Sequence, residues 1–542
     1  MRGSVSLLGL TLGAIGFLAA LTPGMIPRPW HLQGLIAGIA FGALYGLGVI
    51  FAALWGWLGL AVPCGMVRRR LSIGVSIVGL LLVSLGLFRV TAWQNSVREM
   101  MALPSVETGH PIWVAMVGAS VAALLIVLGK AFHAIGRLVA ARLRPMMPTR
   151  IATLFGLAVA ATLLVTLANG VLLRSLIQTM DSAYQRLDAL LPSDLAAPID
   201  GTKTGGPASL IRWQSLGSEG RNRVLSYPSR TEIEVVTGQA AKEPLRVYVG
   251  LNSADSAEAR AALALAEMKR IGAFDRALLI IATPTGTGWV DPASMATVEM
   301  LHHGDVASVS VQYSYLPSWL SLFVEPEFGL ETARTVFRAV YSHWRELPKD
   351  RRPRLYLSGL SLGSLNSDLA ADLFDIIGDP HDGAFWVGAP FASRTWQQVM
   401  RERKPGTPVW APEFRDGSLI RVLTGKGARE ASAESWGAMR IVYLNYPSDP
   451  IVYFETTSLW RKPRWMQEPR SPDISAKIRW IPVVSFLQHG LDMMIATQAP
   501  VGFGHVYAAT HYLDGWLATT APKDWDISRL ERLRAELKRR GL

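Results

Sequence analysis

Apolar positions are unevenly spread along this chain. Up to residue 173 they gather into five nearly unbroken runs, about Val5–Leu21, Leu32–Val62, Leu71–Leu87, Ile112–Leu128 and Ile151–Leu173. Each approaches or exceeds the ~20 apolar residues that cross a bilayer, so the pattern predicts five transmembrane helices within residues 1–178. From Leu245 onward the period changes. Short strand-like runs, "LRVYVGL" (245–251), "ALLIIAT" (277–283), "VASVSVQYS" (306–314), "RLYLSG" (354–359), "GAFWVGA" (383–389) and "MRIVYLN" (439–445), alternate with helical patterns near Ala257–Arg270, Glu331–Glu346 and Ser364–Ile377. That alternation is the signature of a mostly parallel sheet covered by helices, and it predicts one α/β domain over 244–542. Between the two parts, residues 179–243 read as a linker, with "PIDGTKTGGPAS" as its flexible stretch.

Charge sharpens this division. Residues 1–180 hold 13 Lys and Arg against 2 Asp and Glu, out of 54 and 42 in the whole chain, which leaves 41 basic and 40 acidic beyond them. The net charge of +12 is therefore carried by the apolar third, and a near-neutral remainder without a basic stripe argues against nucleic acid as a partner. The connecting loops alternate: Arg2, then Arg28 alone, then Arg68, Arg69 and Arg70, then Arg98 with Glu99 and Glu107, then Lys130, Arg137, Arg142, Arg144 and Arg150. The positive-inside rule puts the N-terminus in the cytoplasm of a multi-pass inner-membrane protein. An odd number of spans then sends everything after about residue 178 to the extracytoplasmic, periplasmic side. Arg2 before an apolar run also resembles a signal peptide, but "TPGMIPRPW" and four further runs follow it, so it is read as a retained helix. In the second run Gly34, Gly38, Gly42 and Gly46 recur every four residues, which suits close helix packing or a lipid groove. The single cysteine, Cys64, excludes an intrachain disulfide and a thiolate zinc site.

The chemistry lies at strand ends, where such sheets place functional groups. "RLYLSG" runs into Gly359-Leu360-Ser361-Leu362-Gly363 and then the helical "SLNSDLAADLFDII". Strand, sharp turn and helix around G-x-S-x-G form a nucleophile elbow: the serine takes a strained backbone, Gly359 and Gly363 must be small, and the Leu362 N–H faces the site of a developing oxyanion. A serine needs a base and the base an orienting carboxylate, in the order Ser, Asp or Glu, His. Asp449, in the loop "YPSDP" after a strand, is the candidate acid, rather than Asp473 or Asp492. His505, in the glycine-flanked "PVGFGHVY", is the candidate base ahead of His489 and His511. His302 and His303 precede the serine and are read as structural. The loop "PTGTGWVDP" offers Thr285, Gly286 and Thr287 as further oxyanion donors; it has no P-loop spacing. Two other stretches stand out. "YLPSWLSLFVEPEF" (315–328) suits a lid or acyl pocket, ordinary core, or a surface dipping into lipid. "LWRKPRWMQEPR" (459–470) suits an anionic membrane surface or a solvated loop.

Five blocks, "LTPGMIPRPW", "SLGSEGRNRV", "TPTGTGWVDPAS", "QYSYLPSWLS" and "SGLSLGS", together resemble a bacterial family of membrane-anchored α/β-hydrolases with an N-terminal multi-span region. The resemblance covers nearly the whole chain and implies an α/β-hydrolase fold with Ser361 as nucleophile. It brings no substrate. In that family the residue before the nucleophile is often acidic, where this chain has Leu360. The fold class expected is therefore α/β, a bundle of about five transmembrane helices followed by a mostly parallel sheet with helices on both faces. The activity expected is that of a serine esterase or lipase acting, without cofactor or metal, on lipids or acylated envelope molecules at the bilayer. An acyltransferase on the same triad and a non-catalytic membrane scaffold or transport component are the alternatives.

Overall fold

The computed structural model describes residues 6–61, 65–167, 174–189, 195–318, 320–321, 326–425, 435–523 and 525–541. Cys64, and Trp319 with residues 322–325 of the 315–328 stretch, lie outside the described residues. The chain forms two compact units, one of Met1–Thr179 with Phe454–Pro500 and one of Met180–Tyr453 with Val501–Leu542. This differs from the expected division at two places. Residues 454–500 leave the catalytic part to join the N-terminal helices. The expected linker at 179–243 is built into the second unit, carrying helices Gly217–Leu225 and Arg230–Thr237.

The first unit begins with α1 (Leu7–Ala20), α2 (Trp30–Trp57), α3 (Gly65–Met100), α4 (Pro111–Leu143) and α5 (Thr149–Val165). Among the described residues three of them, α2, α3 and α4, are long and apolar enough to cross a membrane, so the expectation of about five spans is corrected to three such helices. The reason is length. α1 has 14 residues and α5 has 17, or about 21 and 26 Å at 1.5 Å per residue, short of the ~30 Å hydrocarbon core. The apolar run of α1 goes on to Leu21, but the helix stops before Pro23-Gly24. The glycine stripe of α2 packs helices: a Cβ on Gly34 would lie 2.9 Å from the Val114 carbonyl oxygen, one on Gly38 2.6 Å from that of Gly118, and one on Gly42 2.5 Å from Leu125. α3 turns Leu80, Leu81, Leu85 and Phe88 outward, an apolar surface suited to lipid tails.

Residues 454–500 complete this unit through an apolar and a polar contact. Val484, at the start of helix Val484–Met494, joins a core with Phe17, Ala20, Ala37 and Val114. Beside it Asp492 meets the Arg28 guanidinium at 2.8 Å and accepts the Met25 N–H at 2.8 Å, with both side chains almost fully buried. The amides continue the network. Gln488 donates to the carbonyls of Ala20 and Thr22, Gln33 donates to Ala20, Gln94 donates to Gln33, and the Arg28 N–H donates to Gln94. Main-chain and side-chain groups where α1 ends and α2 begins thus find protein partners that water would otherwise supply.

The second unit holds a seven-stranded, wholly parallel sheet: β1 (Leu245–Val249), β2 (Leu278–Thr283), β3 (Val306–Val311), β4 (Arg354–Leu360), β5 (Gly383–Val387), β6 (Ile420–Leu423) and β7 (Arg440–Leu444), in the order β1-β3-β2-β4-β5-β7-β6. Six strands were legible as runs; β6, four residues at the edge, was not. Ile280, Ala282, Phe385 and Val442 on one face pack with Met295, Tyr512 and Trp516 of helices Pro292–Leu301 and Ala509–Thr520. On the other face Ile281, Val309 and Val311 line a cleft with Ala333 and Val336 of helix Pro326–Glu346. The former linker is pinned to this sheet by charge: Arg223 and Arg246 converge on Glu299 at 3.1 and 2.7 Å, all three buried. Burial opposes the Glu299 charge, but the two guanidinium groups outweigh it and hold the carboxyl below its ordinary range. Register places Thr283 beside Gly359 and Leu360 beside Val387, so the carboxyl ends of β2, β4 and β5 lie side by side.

Because removing one partner strands a buried charge, Arg28→Met should cost about 3–5 kcal/mol. Thermal unfolding of the detergent-solubilised protein measures it, and Arg28→Met with Asp492→Leu should recover much of the loss. A single-variant cost below about 1 kcal/mol, the scale of an exposed pair, would show that the pair does not hold 454–500 in place.

Candidate active site

The site starts from one backbone conformation. β4 ends at Leu360, the helix Leu362–Ala370 starts at Leu362, and Ser361 between them has φ 55° and ψ −125°. L-residues rarely occupy that region, and it persists only where the surroundings over-determine it. Here they do. The Ser361 N–H donates to the Val387 carbonyl at 2.9 Å, and the Ser361 carbonyl accepts from Ser364 N–H at 2.9 Å and Ser364 Oγ at 2.7 Å. Both flanking glycines are obligatory. A Cβ on Gly359 would run into the Gly363 carbonyl group, and one on Gly363 into the Thr283 carbonyl oxygen. Leu362 is the first helical residue, so its N–H has no acceptor within the helix.

Asp449 and His505 meet, although 56 residues separate them. Nδ1 of His505 lies 2.6 Å from Oδ2 of Asp449, and both side chains are buried. The carboxylate is further fixed by the Tyr507 hydroxyl at 2.7 Å on Oδ2 and by the Ile451 N–H at 2.9 Å on Oδ1. The loop carrying the histidine is tied to the loop carrying the aspartate by the Gly504 N–H, which donates to Ser448 Oγ at 3.0 Å. The imidazole lies against Gly388, where a Cβ would stand 2.6 Å from Cε1; Gly388 itself has φ +53°. The serine N–H and the imidazole therefore converge on adjacent residues, Val387 and Gly388. Nε2 of His505 is buried and makes no hydrogen bond among the described residues. A neutral ring donating its Nδ1 proton to a carboxylate carries its lone pair on Nε2, the form that can accept a proton from a hydroxyl.

Other sequence candidates fall elsewhere. Thr285 spends its N–H on the Trp289 carbonyl at 2.9 Å, and Gly286 donates to Ser318 Oγ at 3.2 Å, so both N–H groups are engaged. The Thr287 carbonyl accepts from Gln312 at 3.0 Å. This loop nonetheless borders the elbow, because Gly363 abuts the carbonyls of Thr283 and Pro284. His489, Asp473 and Asp492 belong to the first unit; the His489 ring packs edge-on against Phe454 and Trp465. His511 meets the Tyr446 hydroxyl at 2.5 Å. His302 contacts Thr520 at 2.9 Å, with burial pushing its pKa down to about 3, and His303 stacks on Trp525. Among the described residues no cluster of three or more His, Cys, Asp or Glu is placed to hold a metal ion.

Three residues escaped the sequence reading. Tyr507 stands two positions after His505 in an extended loop, a spacing that brings both side chains to one carboxylate. Gly388 closes "WVG" and is required because the imidazole occupies the place of its side chain. Asp291 caps helix Pro292–Leu301 and accepts from the Tyr512 hydroxyl; burial pushes its carboxyl above the usual range, with Tyr512 and His505 among the groups pulling it back. It lines a small cavity with Ser358, Gly359, Leu360, Val387 and Tyr512, directly behind the elbow.

Residues 245–533 match the model of an alpha/beta-hydrolase family, and residues 21–228 match that of an alpha/beta-hydrolase family N-terminus. The chain belongs to this α/β-hydrolase family. No curated protein and no solved structure matches it.

Gly363→Val should destabilise the second unit by about 1–3 kcal/mol or more, the scale of overpacking against atoms that cannot yield. A thermal midpoint unchanged from wild type would refute the close approach of Gly363 to the Thr283 carbonyl.

Proposed function

We propose that this α/β-hydrolase is a serine hydrolase of the esterase or lipase kind, held at a membrane and acting on ester bonds of lipids or acylated envelope molecules. The observation that supports it most is the Ser361 backbone at positive φ, with the Asp449-bonded His505 against the residue next to its own anchor and with Nε2 unpartnered. Ser361 Oγ attacks the ester carbonyl while His505 Nε2 takes its proton. Asp449, held by Tyr507 and Ile451, stabilises the imidazolium. Charge developing on the carbonyl oxygen is met by the Leu362 N–H at the start of the helix. The intermediate collapses, the C–O bond breaks, and the alcohol leaves with the proton from His505. Water, deprotonated by His505, then attacks the acyl-serine and releases the acid. The same acyl-enzyme resolved by an alcohol would make the protein an acyltransferase.

Sidedness has support that does not depend on counting spans. Arg68, Arg69, Arg70, Arg137, Arg142, Arg144 and Arg150 cluster at one end of α2–α5, against Arg28, Arg98, Glu99 and Glu107 at the other. The positive-inside rule assigns the first end to the cytoplasm. Residues 454–500 pack at the second end, on the turn between α1 and α2 and on Gln488-bonded Ala20 and Thr22. Since the catalytic sequence leads into and out of that segment, we assign it to the extracytoplasmic side of the membrane.

Labelling of the purified protein with a fluorophosphonate probe should occur in wild type and vanish in Ser361→Ala. Asp449→Asn should slow it by orders of magnitude, on the scale of ~10⁴ for a triad aspartate. A folded wild type that takes no label would sink the hydrolase reading in favour of a scaffold. A tag placed after Leu542 should be reached by protease from outside spheroplasts; protection until the membrane is lysed would reverse the topology.

A further inference from the structure

The basic, tryptophan-rich stretch after Asp449 takes no part in the chemistry above. We infer that Trp460, Arg461, Lys462 and Arg464 form a binding surface for anionic phospholipid headgroups, an inference that rests on the reading of α2–α4 as membrane helices.

The stretch is fixed to the end of the helical unit. Leu459 accepts the Val483 N–H at 2.9 Å, and Ser458 accepts the Trp480 indole N–H at 2.9 Å. The residue after Val483 is Val484, whose side chain sits among Phe17, Ala20, Ala37 and Val114. The loop is therefore one residue from a contact made inside the ends of α1, α2 and α4. That end also carries an interfacial mark: Trp30 and Trp113, in the first turns of α2 and α4, pair at 5.8 Å and are both exposed. Tryptophans at helix ends settle at the headgroup level of a bilayer.

The loop is built to present charge there. Pro463, Trp465 and Met466 point inward and are buried. Between and before them Arg461, Lys462 and Arg464 are exposed, and Trp460 is 65% exposed. None of the three cations forms an ion pair among the described residues. The Glu455 carboxylate accepts the Arg464 backbone N–H at 2.8 Å, and Glu468 pairs with Arg470 at 3.3 Å. Three exposed cations, balanced only in part by the Glu455 charge near Arg461 and Arg464, lie beside an exposed indole and complement a leaflet rich in anionic headgroups, phosphates meeting the cations and the ring entering the interface.

The test uses full-length protein in micelles containing equal amounts of phosphatidylglycerol and phosphatidylcholine, with retained lipids counted by native mass spectrometry. Wild type should retain phosphatidylglycerol in excess, and Arg461→Ser with Lys462→Ser and Arg464→Ser should cut that excess several-fold; Trp460→Ala should weaken retention of both lipids. These side chains are exposed, so the thermal midpoint should stay at the wild-type value. Equal phosphatidylglycerol retention by wild type and the triple variant would overturn the inference. Fluorophosphonate labelling at Ser361, read on the same samples, is independent. Its absence with the lipid preference intact would remove the hydrolase reading and leave this surface standing.

Discussion

A single residue held at φ 55° organises the second unit. L-residues resist that conformation, so Ser361 must be restrained on both sides, by Val387 across the sheet and by the first turn of the helix that follows. The restraint propagates. β4 and the helix approach until no side chain fits at 359 or 363, which brings the Thr283 and Pro284 carbonyls, and hence the 284–289 loop, against the elbow. On the other flank, Val387 is followed by Gly388, which is bare because an imidazole occupies its side-chain space. Asp449 then meets that ring at Nδ1. Serine, histidine, aspartate and the glycine-rich loop are brought together by one turn and the parallel register around it.

The two units solve the problem of buried charge in different ways. In the second unit Glu299 receives two arginines, and burial pulls Arg223 down to about 10 even against the Glu299 charge. In the first, a single arginine and aspartate are surrounded by amides and main-chain groups. Neither arrangement is a strong source of net stability compared with a hydrophobic replacement. What both supply is registration. Arg223 and Arg246 fix 217–225 to the sheet, and Asp492 brings the Arg28 guanidinium and the Met25 N–H to one point.

Much of this was legible, for identifiable reasons. Six strands announced themselves because a parallel strand is buried on both faces and reads as a continuous apolar run. Ser361, Asp449 and His505 were visible because each stands at a strand end or in a glycine-flanked loop. β6 was lost because four edge residues with two half-buried positions carry no such run. Five apolar runs became, among the described residues, three helices long enough to cross a membrane, because hydropathy measures a run and crossing requires helix length. The pairing of Arg28 with Asp492 lies 464 residues apart in sequence and has no local signal. Tyr507 escaped because the pull of a hydroxyl on a distant carboxylate leaves no periodicity behind.

The placement of residues 454–500 has a consequence for how the protein is made. Asp449 and His505 stand on the two arms of a segment whose own core consists of Phe17, Ala20, Ala37 and Val114, residues that leave the ribosome hundreds of positions earlier. The helices made first therefore lack the contacts of Val484 and Asp492 until those residues are synthesised. His505 is translated only after both. Synthesis of His505 is thus ordered behind completion of the first unit, and a nascent chain stalled short of that point carries Ser361 without the imidazole that lies against Gly388.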